Sequence, residues 1–275
     1  SGEDVVEKGA SLLKASGCGL VLAVGGGSSI DAAKGIAATA ANPGSILDYE
    51  GVGRLPHPAL PLAAIPTTAG TGSEATPAAV ITNKKTQFKT AVISPHLYPR
   101  LAVLDAGLTL GLPPHLTAAT GMDALTHAIE SYVSRHANPV SEALALRAME
   151  IIAADIRRVF ADGADAAARE RMLSASMMAG AAFAQSRLGN VHAISHTLGG
   201  IFGVPHGVAN AVLLPYVMEF NLPACPDKFA RIAAALGRDT AGLAPEEAAA
   251  EAVAAVRALN GDLGIPRDIR SLGVT

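Results

Sequence analysis

The order of apolar and polar residues divides the chain into two unlike halves. In the first half, short apolar runs alternate with helical patterns. Glu3–Ala15 repeats apolar residues at helical spacing, and Gly17 ends this predicted helix. The continuous apolar run at residues 19–24 is typical of a parallel strand that is covered on both faces. Further strands are predicted around 60–66 and 101–105, with a hairpin formed by 80–82 and 90–94.

The second half begins after the Pro113–Pro114 pair and has almost no β-branched runs. Long helical patterns cover it at 119–133, 139–160, 166–184, 191–202, 209–220, 226–235 and 245–259. The pattern therefore predicts an α/β domain over residues 1–111, followed by an all-α helical domain over residues 112–275. We expect the active site in the cleft between them, because ligand pockets favour domain interfaces.

Composition narrows the class of protein. The 275 residues are 50% hydrophobic and only 16% charged, which fits a compact enzyme with room for subunit burial, and we expect a homodimer. A net charge of -3 predicts no nucleic-acid partner, and no apolar run is long enough to predict a membrane span. The first residues do not resemble a secretory signal, and two cysteines without metal-type spacing suit a reducing compartment, so we expect a cytoplasmic protein.

Two glycine-rich loops predict a site for phosphate groups. Gly25, Gly26 and Gly27 follow the strand at 19–24 and lead into a helix, with Ser28 or Ser29 as the expected N-cap. Backbone N–H groups at such a helix start bind anions, and glycines allow a phosphate to come close. The dinucleotide fingerprint is only partly met, because Ile30 stands where its third glycine would be.

The second loop covers residues 67–76 and carries hydroxyl groups around two glycines. These hydroxyls belong to Thr67, Thr68, Thr71 and Ser73. Together with free backbone amides they suit a pyrophosphate or a ribose. Neither loop has the lysine of the Walker A motif, which excludes a nucleoside triphosphatase of that type.

A metal site is predicted from histidines and an aspartate at helical spacing. Asp123 and His127 are four residues apart, as are His192 and His196, so each pair lies on one helix face. His206 follows after glycines that let the chain turn back. One carboxylate with two or three imidazoles suits Fe(II), Zn(II), Mn(II) or Co(II). Spacing alone leaves open which of the three later histidines bind the metal.

Four motifs in this order, GGGSSIDAAK, PTTAGTGSEAT, GMDALTHAIESYV and VHAISHTLGGIFGVPHGVANAVLLP, resemble the iron-containing (group III) alcohol dehydrogenases. The resemblance covers nearly the whole chain and implies a Rossmann-like N-terminal domain and an all-helical C-terminal domain. It implies four metal ligands, Asp123, His127, His192 and His206, and assigns His196 to the catalytic, non-ligand position near the nicotinamide. It also implies the cofactor-binding residues Gly26, Gly27, Ser28, Asp31, Thr67, Thr68, Thr71 and Lys89.

The implied reaction is hydride transfer between a small alcohol or aldehyde and NAD or NADP. It uses a divalent metal, Fe(II) in the first place or Zn(II). Family members have further strands before the first residue of this chain and continue beyond its last, so we expect both domains to be incomplete. Three alternatives remain: a catalytically silent metal-binding domain or fragment, a metal hydrolase, and a maleylacetate-reductase-like enzyme. The last characteristically lacks the metal ligands, and all four are present here.

Overall fold

The structure, a computed structural model, describes residues 2–86 and 88–274. The chain divides into two compact units. The first contains the chain up to Thr68 together with Gly72–Leu108, and the second contains Ala69–Thr71 and the chain from Thr109 onwards. Three residues of the loop at 67–76, Ala69–Thr71, therefore pack with the chain from Thr109 onwards.

The first unit is an α/β structure with two helices and two three-stranded sheets among its described residues. The helices are α1 (Glu3–Ser16) and α2 (Gly27–Ala41). Strands β1 (Val21–Gly25), β3 (Leu62–Pro66) and β6 (Leu101–Ala102) form a parallel sheet in the order β1-β3-β6. The other sheet has the order β2-β5-β4, from β2 (Gly51–Val52), β5 (Phe88–Ile93) and β4 (Ala78–Asn83), with β4 antiparallel to β5. The predicted hairpin is thereby confirmed.

Among the residues that the structure describes, strand β1 is covered on one face only, so the prediction of two covered faces was wrong. Ala23 is buried beneath α2, in a cluster with Ile30, Ala33, Leu62 and Ala64. Leu20, Leu22 and Val24 alternate with it and are more than half exposed. An apolar run shows only that both faces are apolar, and it cannot show what packs against each. The strand predicted at 101–105 is also shorter than expected, because β6 ends at Ala102.

Helix α2 begins directly at the glycine turn. Its N-cap is Gly26 in an extended conformation, without a side-chain hydrogen bond, so the prediction of a serine N-cap was wrong. Ser28 and Ser29 lie in the first helical turn instead. Gly25 has a φ of 151°, where a Cβ would lie 2.6 Å from the Ser29 Oγ. Only glycine is free of this strain, and it lets the chain turn from strand to helix without a linker.

The second unit is helical. Its described helices are α3 (Pro114–Val133), α4 (Pro139–Ala161), α5 (Ala166–Ser186), α6 (Asn190–Phe202), α7 (His206–Asn221), α8 (Pro226–Ala235) and α9 (Pro245–Asp262). The predicted helices are confirmed, with α3 and α7 starting earlier than their apolar patterns did. Pro114 at the start of α3 suits a first turn, where the N–H that proline lacks has no helical partner. In the described chain, no helix is long and apolar enough to cross a membrane.

Candidate metal and dinucleotide sites

Three helices of the second unit bring four candidate ligands together. Asp123 and His127 lie one turn apart on α3, His192 lies on α6, and His206 is the first residue of α7. The Asp123 Oδ1 is 3.9 Å from the His127 Nε2, 3.8 Å from the His192 Nε2 and 3.7 Å from the His206 Nε2. The three imidazoles therefore converge on one carboxylate oxygen.

These separations are close to those that a divalent cation imposes. A tetrahedral site with bonds of about 2.1 Å has ligand atoms about 3.4 Å apart. Ligand atoms of Asp123, His127 and His192 all lie within 4.8 Å of one another, and all three residues are buried. Small side-chain movements would bring the atoms to bonding distance, so the donor set fits a cation such as Fe(II) or Zn(II).

The side-chain amide of Asn210 lies among the same ligand atoms. Its Nδ2 is 2.6 Å from the Asp123 Oδ1, 3.1 Å from the His192 Nε2 and 3.2 Å from the His206 Nε2. One amide nitrogen carries two hydrogens, so it cannot donate to all three of these atoms at once. The Asn210 Oδ1 is buried, and among the described residues it has no hydrogen-bond partner. The polar groups at this centre are therefore short of partners, as expected where a cation belongs.

Burial and the carboxylates of Asp123 and Glu130 shift the pKa values of the candidate ligands. Burial lowers the pKa of His127 to about 4, although Asp123 opposes this shift. Burial also lowers the pKa of His192, but the Asp123 and Glu130 carboxylates outweigh it and raise that pKa to about 9. For Asp123, burial raises the pKa, and the three neighbouring histidines more than compensate, so the net shift is downward. A cation would take the place of the proton on His192.

The ring of His127 is held from two sides. Its Nδ1 hydrogen-bonds to the carbonyl oxygen of Gly70 at 3.2 Å, in the loop segment that belongs to the second unit. The ring also stacks on Phe183 and on His192, with centroid distances of 4.6 Å in both cases. With Nδ1 engaged, Nε2 faces the centre of the cluster.

His196 lies beside the cluster rather than in it. It is exposed, one turn after His192 on α6, and its ring centroid is 6.0 Å from that of His192 and 5.2 Å from that of His206. Spacing had left open which of the three later histidines would bind the metal, and the geometry favours His192 and His206 as candidate ligands. His192 and His206 face Asp123, and His196 is placed at the margin.

In the first unit, the two predicted phosphate-binding segments meet at the carboxyl end of β1. The Thr67 N–H donates to the Gly25 carbonyl at 3.1 Å, which ties the threonine-rich segment to the glycine turn. Among the described residues other than its chain neighbours, a Cβ on Gly26 would approach only Thr68, at 3.4 Å, so the backbone there is accessible. Gly27 and Ser28 form the first turn of α2, whose N–H groups suit an anion.

The three other predicted cofactor-binding residues, Asp31, Lys89 and Thr71, lie in environments different from that of the glycine turn. Asp31 accepts hydrogen bonds from the Ser73 Oγ at 2.6 Å and from the Val80 N–H at 3.1 Å, so both of its oxygens already link parts of the first unit. Lys89 is exposed on β5, opposite Thr82. Thr71 belongs to the second unit.

The sequence analysis did not predict two residues of the candidate metal site, Glu130 and Asn210. Glu130 is buried, and its Oε2 accepts a hydrogen bond from the His192 Nδ1 at 2.6 Å. Asp123, His127 and Glu130 are spaced i, i+4 and i+7 on one helix face, but this spacing does not show that the Glu130 carboxylate is buried against His192. Asn210 likewise follows His206 by four residues. The predicted donor set contained only aspartate and histidine, so it did not include a glutamate or an asparagine.

The fold and these sites define a class of protein. An α/β unit with an accessible glycine turn at a helix start suits a dinucleotide, and a buried carboxylate–imidazole cluster on helices suits a divalent metal. Together they are the parts of a metal-dependent dehydrogenase.

Known proteins place the chain within that class. The family profile "Iron-containing alcohol dehydrogenase" matches residues 2–106, and "Fe-containing alcohol dehydrogenase family, C-terminal" matches residues 117–275. The chain is 47% identical to 1,3-propanediol dehydrogenase of Citrobacter freundii, covering 98% of this chain and 70% of that protein. It is 45% identical to NAD-dependent methanol dehydrogenase of Bacillus methanolicus, covering 98% of this chain and 71% of that protein. A crystal structure of a 1,3-propanediol oxidoreductase superimposes with a TM-score of 0.98 at 45% identity, over 100% of this chain and 72% of that one.

The chain belongs to the iron-containing alcohol dehydrogenase family. It is an oxidoreductase that acts on alcohols or aldehydes with a nicotinamide dinucleotide, and the family implies a divalent metal as well. The resemblance and the two-part fold predicted from the sequence are confirmed.

Proposed function

We propose that this enzyme interconverts a short primary alcohol and its aldehyde, with a metal held by Asp123, His127, His192 and His206. The observation that carries the proposal is the convergence of three imidazole Nε2 atoms within 3.9 Å of the Asp123 Oδ1. Fe(II) is the proposed metal, and Zn(II) fits the same donors. The names of the relatives, which refer to 1,3-propanediol and methanol, support a small substrate.

Each part of the chain has a definite task in this proposal. A divalent metal supplies Lewis acidity toward the substrate oxygen, and the dinucleotide supplies the hydride acceptor or donor. Asp123 and the three histidines would hold the metal, and Asp123, His127 and His192 are buried. His196 lies next to two of them and is exposed, so it is suited to exchange a proton between the substrate oxygen and solvent.

The dinucleotide is proposed to bind at the glycine turn. The N–H groups of Gly27 and Ser28 would bind its pyrophosphate, close to Gly26, and Thr67 and Thr68 would add hydroxyl groups. Asp31 would act indirectly, because its two oxygens hold Ser73 and the Val80 backbone. Contacts from Thr71 and Lys89, the homodimer and the cytoplasmic location remain predictions. We propose NAD as the preferred dinucleotide, as in the name of the methanol-oxidising relative.

The test compares His206→Ala with His136→Ala. His206 is a proposed ligand, whereas His136 is exposed on the surface and is the matched control. We expect the His206 variant to lose most of its metal, as measured by elemental analysis, and to lose NADH-dependent turnover of short aldehydes. The His136 variant should retain both. Equal metal content in the two variants would contradict the ligand assignment.

The same preparations distinguish the alternatives. A metal-loaded wild-type protein without turnover across a panel of alcohols and aldehydes, with either NAD or NADP, would favour a catalytically silent metal-binding protein. Turnover of an ester without a dinucleotide would favour a hydrolase. In either case the metal content still reports on the ligands.

A further inference from the structure

Glu130 is a buried carboxylate at the end of α3, two turns after Asp123. Its side chain is 4% exposed, and a charged group at such a depth needs partners. The Oε2 accepts hydrogen bonds from the His192 Nδ1 at 2.6 Å and from the Gly189 N–H at 3.0 Å. The Oε1 accepts from the Val191 N–H at 2.7 Å. All three donors lie at the start of α6, so one carboxylate satisfies three donors there.

We propose that Glu130 is a positioning residue of the metal site, which fixes the His192 ring so that its Nε2 faces the metal. This inference rests on the proposed function, in which His192 is a ligand. Both Glu130 oxygens are engaged at the start of α6, so Glu130 would not itself be a ligand. It acts through the opposite nitrogen of the same ring.

The physical reason lies in the two nitrogens of imidazole. A neutral imidazole carries one N–H, and a metal binds only the nitrogen that lacks it. A carboxylate that accepts a hydrogen bond from Nδ1 therefore leaves the Nε2 lone pair for the metal, and it also makes that nitrogen more basic. The Nε2 is the atom that lies 3.8 Å from the Asp123 Oδ1.

Glu130 also fixes where the helix that carries His192 begins. Backbone N–H groups in the first turn of a helix lack helical partners, and a carboxylate is stabilised by the positive end of the helix dipole. The contact is close, because a Cβ on Gly189 would lie 2.8 Å from the Glu130 Oε1. One side chain thus contacts both the first turn of α6 and the ring of its candidate ligand.

His127 shows the weaker form of the same arrangement. Its Nδ1 pairs with the neutral carbonyl of Gly70 at 3.2 Å, compared with 2.6 Å to the charged Glu130 for His192. Hydrogen bonds to a charged acceptor are shorter and stronger. Glu130 also brings a second negative charge near the site, so with Asp123 it formally balances a divalent cation between neutral imidazoles.

The test uses Zn(II), which is diamagnetic and fits the donor set. Zn(II) affinity is measured by competition with a chelator, and the His192 Nδ1–H is observed by NMR in Zn(II)-loaded protein with 15N-labelled histidine. Glu130→Gln keeps the size of the side chain but has only one acceptor oxygen for the three donors. Its amide NH2 group would face at least one of these donors, so a hydrogen bond would be lost. We expect Zn(II) affinity to fall about 10- to 100-fold. The downfield Nδ1–H signal, assigned in the wild type by its absence from His192→Ala, should shift upfield or disappear.

A matched control separates positioning from helix capping. Asn138 accepts the Val140 and Ser141 N–H groups at the start of α4, and it is remote in sequence from the proposed ligands of α6 and α7. Asn138→Ala should lower the melting temperature and leave the Zn(II) affinity and the His192 signal unchanged. If Glu130→Gln does not fold, Glu130→Asp retains the charge at a shorter reach, and it should show a smaller loss in both measurements.

The outcomes are distinct for the two claims. Wild-type affinity and an unchanged His192 signal in the folded Glu130 variant would overturn the positioning role while leaving the metal site intact. Equal Zn(II) affinity in wild type and His192→Ala would instead overturn the ligand assignment, and the inference with it.

Discussion

Two histidines one turn apart on α6 are chemically different because of their neighbours. His192 is buried, with a carboxylate at each ring nitrogen: Glu130 at Nδ1 and Asp123 on the side of Nε2. His196 is exposed, and its ring is perpendicular to that of His192, at 85°. A ligand needs desolvation and a fixed ring, whereas a group that exchanges protons needs access to water.

The first prediction at this scale concerns His196→Ala. We expect the variant to keep its metal, because the four candidate ligands are untouched, and to lose turnover by about 100-fold or more, as for the removal of a general acid–base group. Metal content and kcat are measured on the same preparation, next to His192→Ala as the ligand control. Metal loss equal to that of His192→Ala would show that the wrong histidine was assigned to the metal.

Candidate site residues could be predicted from sequence where their spacing places them on one face of a helix. The i, i+4 pairs identified Asp123 and His127, and the resemblance selected His192 and His206, which geometry brings together. Glu130 was not predicted because a glutamate on a helix is usually exposed. Its burial results from the approach of α6, which spacing within α3 does not contain.

At the scale of elements, the distance of His206 from the candidate ligands on α3 depends on how closely α7 packs against α3. The two helix backbones come close at Gly207, directly after His206. A Cβ there would lie 2.4 Å from the Ala119 carbonyl oxygen and 2.8 Å from its carbonyl carbon. Both of these are backbone atoms of a long helix and cannot move aside easily.

We therefore expect Gly207→Ala to push the start of α7 away from α3. Overpacking of this kind costs about 1–3 kcal/mol of unfolding free energy. Metal affinity should fall as well, because His206 moves with the helix. Urea unfolding and a Zn(II) titration measure the two effects.

Gly261→Ala is the control for this substitution. Gly261 lies in α9, and a Cβ there would meet no atom within 4 Å from the described residues beyond its own helix backbone and chain neighbours. Alanine should therefore stabilise the helix by up to about 1 kcal/mol. Equal effects of the two substitutions would mean that the α3–α7 contact tolerates a methyl group.

The elements themselves were predicted well in the second unit and less well at the sheet. Helical periodicity over long segments identified α4 and α8 almost to the residue. Apolar runs at β1 and β6 did not reveal the exposed face or the early end of the strand. The buried face of a helix can be identified from the 3.6-residue repeat of its own apolar residues. The length and the burial of a strand depend instead on partners that are distant in sequence.

At the scale of the molecule, the two candidate sites draw on different units, so their ligands should stabilise different parts of the chain. A ligand that binds only the folded state at 100 times its Kd stabilises it by about 2.7 kcal/mol. We expect Zn(II) to protect amides of α3, α6 and α7 from hydrogen exchange, and NADH to protect residues 25–30 and 67–68.

Gly26→Val separates the two effects. The valine side chain would occupy the place where the pyrophosphate approaches the backbone, so protection by NADH should disappear while protection by Zn(II) persists. A Cβ at this position meets only Thr68, at 3.4 Å, so the fold itself should tolerate the change. NADH protection equal to that of the wild type would show that the glycine turn is only structural.

The grouping of Ala69–Thr71 with the helical unit bears on how such a protein can be rearranged by recombination. Gly70 packs directly on α3, where a Cβ would lie 2.7 Å from the Thr120 Cβ, and its carbonyl accepts the hydrogen bond from His127. A gene fragment that starts at Thr109 would encode all four candidate ligands and still lack the acceptor that orients one of them. The helical unit is therefore not encoded by one continuous segment of the gene. A fusion protein that carries this unit would also need Ala69–Thr71, which the gene encodes upstream, within the segment for the α/β unit.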